Sequence, residues 1–203
     1  MHSRTQFGLL FAIPTLLVAV AGGAVASTVA PSVVSGCNGC HGDGGVSASK
    51  DIPSIAGMSD FYLEGQMLAY QKGQRQCPNT PGDMCDLSKA LTGAQIKEIG
   101  TYYAAQTWVP APQNGLNPVQ RAKGRRLHST TCENCHTKGG LVASDDSSIL
   151  AGQWLPYLML TLQNYQAGKR LMPDKMKAKI DALSADDVDA LAQFYAGEGT
   201  PSK

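Results

Sequence analysis

The chain has 203 residues, 43% of them hydrophobic, with 17 basic against 16 acidic side chains for a formal charge of +1, and six cysteines. So even a balance excludes a nucleic-acid binder, which needs a basic excess to meet phosphates. The length suits one ordinary domain or two small ones, and small ones need a cofactor or cross-links to support thin cores.

His2 and Arg4 precede an apolar stretch from Phe7 to Val20, and Gly22-Gly23 leads to Ala24-Val25-Ala26, the small-x-small pattern of a signal-peptidase site. Residues 1–26 are therefore expected to be a removed signal peptide that exports the chain to the periplasm. Pro14 interrupts the apolar run, which stops short of the roughly 20 residues a membrane span needs, so no span is expected after cleavage. Loss of Arg4 balances the mature charges. All six cysteines follow the leader, in a compartment that permits disulfides. Little chain separates Ala26 from Cys37, and it includes Pro31, so the helix opening the first half should be short.

Cys37-Asn38-Gly39-Cys40-His41 and Cys132-Glu133-Asn134-Cys135-His136 are Cys-x-x-Cys-His motifs. Two thiols three positions apart on one turn reach both vinyl groups of a haem, and the adjacent histidine turns beneath the iron. A zinc site or redox dithiol would not require a histidine directly after both pairs. Two covalent haem c groups are expected, on Cys37 and Cys40 and on Cys132 and Cys135, with His41 and His136 as iron ligands.

The motifs lie 95 residues apart, and the register continues: Gly44-Gly45 matches Gly139-Gly140, Ile55-Ala56-Gly57 matches Leu150-Ala151-Gly152, and Tyr70-Gln71 matches Tyr165-Gln166. Gly73 and Arg75 match Gly168 and Arg170. This is an internal duplication. Beyond Arg75 the spacing falls to 92, with Met84 matching Met176 and Tyr102-Tyr103-Ala104 matching Phe194-Tyr195-Ala196, so the first half carries an insertion near Cys77 and Cys85.

A thioether is the sixth iron ligand favoured for electron transfer, because His/Met ligation raises the potential. The repeat selects Met84 and Met176; Met172 competes with Met176 but maps to Thr80, a poor ligand. Met58, Met67 and Met159 read as flexible packing, and His128 as a partly exposed residue on the haem helix. Cys77 and Cys85 bracket a loop rich in proline and glycine and are expected to form a disulfide, the alternative being a reactive thiol or a thiolate ligand replacing Met84. Arg75 and Arg170 are either haem-propionate partners or solvated helix-end charges. Tyr62, Tyr70, Trp154, Tyr157 and Tyr165 read as haem-pocket packing.

Both halves read as helical. Thr92-Gly93-Ala94-Gln95 and Ser184-Ala185-Asp186-Asp187 resemble capping boxes that open the final helices, whose apolar faces, Ile96, Ile99 and Tyr103, then Val188, Leu191 and Tyr195, should pack against the helix before each haem. Asn117-Pro118 is a cap and first turn. Pro110 and Pro112 place a linker at 109–117 between a first domain at 27–108 and a second at 118–203. Arg121, Lys123, Arg125 and Arg126 form either a docking patch or a solvated helix face. Gly42-Asp43-Gly44-Gly45 is a turn after the haem motif, and neither a dinucleotide fingerprint nor a nucleophile with its base appears, so no independent catalytic site is expected.

The motif Cys132–His136, followed by Ile149-Leu150-Ala151-Gly152-Gln153-Trp154 and Lys169-Arg170-Leu171-Met172-Pro173-Asp174-Lys175-Met176, resembles the cytochrome subunit of flavocytochrome c sulfide dehydrogenase. The resemblance implies an all-α fold of two tandem cytochrome c-like domains, each wrapped around one haem, with His41/Met84 and His136/Met176 ligation. It further implies a periplasmic complex with an FAD-bearing flavoprotein that oxidises sulfide and passes electrons to the haems, which then reduce other redox proteins. The first half is more similar to free dihaem cytochromes c of subclass four, which shuttle electrons to terminal oxidases, and the Cys77/Cys85 insertion departs from the flavocytochrome pattern. A third reading is a haem enzyme that oxidises thiosulfate.

Overall fold

Pro31 holds the chain extended just before a 3-10 turn at Ser32–Val34, which runs directly into helix α1, Ser35–His41, in the computed structural model. The structure describes residues 30–78, 80, 82–143 and 147–199; the leader expected at 1–26 lies outside them. α1 is as short as the sequence demands and carries the first Cys-x-x-Cys-His motif. The rest of the first half comprises α2, Asp60–Gln71, α3, Met84–Lys89, and α4, Gly93–Ala104. Thr92 and Gln95 form the expected capping box at the start of α4.

In the second half Asn117 caps α5, Pro118–Leu127, whose first residue is the proline suited to that position. α5 continues as a π-helical turn, His128–Cys132, into the second motif. The short α6, Thr137–Gly140, then precedes α7, Leu155–Gln166, α8, Asp174–Ile180, and α9, Ala185–Gly197, the last opened by a capping box between Ser184 and Asp187. An isolated antiparallel β bridge joins Arg75 to Arg170. No described helix is long and apolar enough to cross a membrane.

The duplication is visible in the backbone. Gly45 (φ 82°) accepts from Ile55 N and Ala56 N at 2.8 and 3.2 Å, and Gly140 (φ 81°) accepts from Leu150 N and Ala151 N at 2.8 and 3.1 Å. Gly57 N and Gly152 N each donate at 2.8 Å, to Tyr103 O and Tyr195 O. A Cβ on Gly45 would fall 2.8 Å from the Tyr103 ring, and one on Gly140 3.1 Å from the Tyr195 ring, so each loop lies hard against its last helix.

Each half has its own apolar core. Val34, Leu63, Met67, Ile96, Ile99 and Tyr103 fill the first; Leu158, Leu162, Ile180, Val188, Leu191 and Tyr195 lie at the heart of the second. In the second half the face of α9 meets α5, the helix before the haem motif, as expected. The first half departs: α1 is too short to cross α4, which packs mainly against α2. Segment 109–117 is not a loose tether, because Ala111 N donates to Gly152 O at 2.7 Å and Gln113 Nε2 to Gln153 O at 3.0 Å.

The α5–α9 crossing is closest at Gly124, where an added Cβ would stand 2.0 Å from Ala190 O. Gly124→Ala should destabilise the protein by about 1–3 kcal/mol through overpacking, although alanine is the better helix former. Gly65→Ala, on α2 with open space around it, should instead stabilise by up to about 1 kcal/mol. Denaturant midpoints of the two variants check this opposition.

Candidate haem sites

α1 presents Cys37 half-buried, Cys40 exposed and His41 buried at its C-terminal end. His41 Nδ1 lies 2.9 Å from Pro53 O. A carbonyl only accepts, so Nδ1 holds the ring proton and Nε2 keeps a free lone pair, the tautomer an iron ligand needs. Burial, more than any neighbour, lowers the His41 pKa and favours the neutral ring. In the second half Cys132 ends the π-helical turn half-buried, Cys135 is exposed and His136 is half-buried. Burial raises the thiol pKa of both Cys37 and Cys132, opposed by hydrogen bonds from Tyr103 and Tyr195 respectively.

Met84 opens α3 and packs against the first core; Met176 lies in the first turn of α8 against the second. Met172 touches that second core too, but from outside α8. Met84 is the more firmly anchored of the repeat-related pair, because Asp83 Oδ1 accepts from Cys85 N at 2.9 Å and Cys85 is joined to Cys77 in a disulfide. α8 has neither a side-chain cap nor a cross-link.

The junction between the halves is built around Arg75 and Arg170, two repeat-related arginines that sequence reasoning left between propionate and solvent. Arg75 donates to Tyr157 Oη in the second half at 3.1 Å, and Arg170 donates to Tyr62 Oη in the first at 2.8 Å. Both also donate to Gln66 Oε1, at 2.9 and 2.8 Å. Each guanidinium covers a tyrosine of its own half, Arg75 over Tyr70 and Arg170 over Tyr165. Backbone bonds from Gln76 N to Lys169 O and from Leu171 N to Gln74 O, both 2.9 Å, close the reciprocal arrangement. Four of the five aromatic residues expected as haem packing thus line the junction, and the fifth, Trp154, donates from Nε1 to Ser47 O at 2.9 Å across it. Sequence reasoning missed Gln66, Ser54 and Gln153: Ser54 N donates to Gln153 Oε1 at 3.0 Å, and Gln153 Nε2 to Ser54 O at 2.9 Å.

Neither Arg75 nor Arg170 forms an ion pair with a carboxylate among the described residues. Burial would raise the Tyr157 phenol, but Arg75 and Arg170 outweigh it and pull it down to about 7, whereas burial pushes Tyr70 and Tyr165 up to about 12. Such a site lacks negative charge. Arg170 Nε and Trp108 Nε1 are moreover buried donors without a hydrogen-bond partner among the described residues. Haem carries two propionates per group, and this junction suits them in both charge and hydrogen bonding.

One other expectation is corrected, and one open choice is narrowed. His128 is buried, 2% exposed, because Tyr195 and Glu133 satisfy both ring nitrogens. Of the four cations on α5, Arg121 and Arg125 pair with Glu198, and Lys123 with Asp186 and Asp187. Three of the four cations are thus paired within the chain, and Arg126 is exposed.

Residues 119–194 match the family described as cytochrome c oxidase, cbb3-type, subunit III. Cytochrome c-552 of Acidithiobacillus ferridurans is 30% identical, covering 94% of this chain and 87% of its own length. The cytochrome subunit of sulfide dehydrogenase from Chlorobaculum tepidum is 39% identical, but over 33% of this chain and 56% of that protein. Among solved structures, cytochrome c4 from Pseudomonas stutzeri superposes with a TM-score of 0.68 at 23% identity, covering 81% of this chain and 94% of that one. Thiosulfate dehydrogenase from Marichromatium purpuratum superposes with a TM-score of 0.69 at 29% identity over 80% of this chain, which spans only 36% of that larger chain.

Removing the cross-link with Cys77→Ser/Cys85→Ser should cost about 2–3 kcal/mol, the chain entropy of so short a loop. Thermal unfolding with and without reductant checks it: reductant should lower the wild-type midpoint towards that of the variant and leave the variant unmoved.

Proposed function

The chain belongs to the cytochrome c family and binds two covalent haem c groups, and we propose that it is an exported electron carrier receiving electrons from a dehydrogenase of an inorganic sulfur compound. When bound, haem supplies one-electron chemistry between ferric and ferrous iron. Cys37, Cys40, Cys132 and Cys135 would form the thioether links. His41 and Met84 would hold one iron, and His136 and Met176 the other. With both axial positions taken by protein, this chain would exchange electrons rather than bind a substrate at iron.

The observation that carries the reading is the arginine junction, where Arg75 and Arg170 join the two halves through reciprocal hydrogen bonds to Tyr157 and Tyr62 and would suit the propionates of two haems. The donor is inferred from likeness. The structural similarity to a thiosulfate dehydrogenase, at 29% identity over 80% of this chain, favours a thiosulfate-oxidising partner, with another periplasmic redox protein such as a terminal oxidase as acceptor. A second reading, the haem subunit of a flavoprotein sulfide dehydrogenase, is favoured by the 39% identical stretch, although that covers only a third of the chain.

Purification from the native periplasm under mild conditions separates the two. Two haems without flavin, reducible by a purified thiosulfate dehydrogenase, support the first reading; a co-purifying FAD protein with sulfide-dependent reduction supports the second and overturns the first. The ligand assignment has its own check. Met84→Ala and Met176→Ala should each remove about half of the methionine–iron absorption band and lower one midpoint potential, whereas Met172→Ala should preserve both.

A further inference from the structure

His128 sits one helical turn ahead of Cys132, enclosed between α5 and α9. Its Nδ1 is 2.9 Å from Tyr195 Oη, and its Nε2 contacts the Glu133 carboxylate. The Tyr195 hydroxyl also hydrogen-bonds the Cys132 sulfur, and Glu133 Oε1 accepts from Lys138 N at 2.9 Å. Carboxylate, imidazole and phenol thus form one chain ending on the sulfur expected to carry the second haem. The first half has the same frame in neutral parts: Val33 stands where His128 does, Asn38 where Glu133 does and Tyr103 where Tyr195 does. There Tyr103 Oη donates to Asn38 Oδ1 at 2.8 Å and also bonds Cys37.

We propose that His128 is a proton-binding site coupled to the electron on the second haem, taking up one proton from solvent as that haem gains one electron and releasing it on oxidation. The first haem has no such site. An added electron draws positive charge towards it most strongly where water is excluded, and His128 is the buried group able to supply that charge. Imidazole exchanges its proton between pH 5 and 8, whereas Val33 and Asn38, which stand at the places of His128 and Glu133 in the first half, carry no titratable proton.

The surroundings allow both states. With the ring neutral, Nε2–H donates to Glu133 and Nδ1 accepts from the Tyr195 hydroxyl. With the ring charged, Nδ1–H donates to Tyr195, whose own proton then turns towards the Cys132 sulfur. The hydrogen bond at the haem-bearing sulfur therefore reverses with the proton. His128 holds the Glu133 carboxyl below its ordinary range, assisted by the Lys138 backbone, so a counter-charge is in place. The other charged groups nearby are accounted for. From α5, Arg125 covers the Phe194 ring, which itself lies against His128, and pairs with Glu198; from α8, Lys179 acts on Cys132.

The inference rests on haem attachment at Cys132, which the mass of the haem-bearing peptide checks separately. Redox titrations of the holoprotein from pH 5 to 8 should show one midpoint potential falling as pH rises and the other flat. The NMR titration of the His128 ring should move to higher pH in the reduced protein than in the oxidised. His128→Val/Glu133→Asn, which copies the first half, should flatten the sloping potential while retaining both haems. Glu133→Gln should shift the slope to lower pH, and it decides the matter together with the wild-type NMR titration should the double variant not fold. Two flat potentials in the wild type, a His128 titration equal in both redox states, or a slope that survives in the double variant would each overturn the proposal.

Discussion

Two like charges side by side at a junction, Arg170 buried and Arg75 half-buried, set the terms for the rest of this molecule. Arg75 and Arg170 share the Oε1 of Gln66, cover one tyrosine each and reach across to a tyrosine of the opposite half, with no carboxylate among the described residues to balance them. An uncompensated buried charge is strongly destabilising, so the arrangement is suited to anionic groups such as haem propionates. The low phenol of Tyr157 reports the same imbalance from the protein side.

Around that junction the duplicated frame is repeated and then deliberately broken. The glycine loops at Gly45 and Gly140 accept the same pair of backbone donors and press against equivalent tyrosines. What differs is what each half can build with the chain available to it. Among the described residues the first half has no crossing helix ahead of its motif; α2 packs against α4 instead, and a disulfide stands beside Met84. The second has the full α5–α9 crossing, tight enough to require Gly124. Gln153 has Met58 as its counterpart, so the paired hydrogen bonds to Ser54 exist on one side only and break the pseudo-symmetry.

The features readable from sequence were those carried by periodicity and repetition. The motifs, the capping boxes at Thr92 and Ser184, the short opening helix before Cys37 and the division into halves all follow from local patterns that tertiary packing does not override. The junction was less legible. The matched arginines and tyrosines are plain in the repeat, but which half each one serves depends on how two small domains face one another, and no local pattern encodes that. His128 was misjudged for a related reason: one polar residue on a helix looks exposed until the carboxylate and phenol that enclose it, one five residues on and the other in α9, are brought together by folding. The basic run on α5 was left between two readings because its partners Asp186, Asp187 and Glu198 are remote in sequence.

The internal pairing on α5 also bears on how the protein meets its partners. With Arg121, Lys123 and Arg125 already paired to carboxylates, and Val119 on the same helix 75% exposed, Arg126 is left as the cation of the run outside those pairs. Encounters on this face would therefore be steered less, and vary less with ionic strength, than four unpaired cations would dictate.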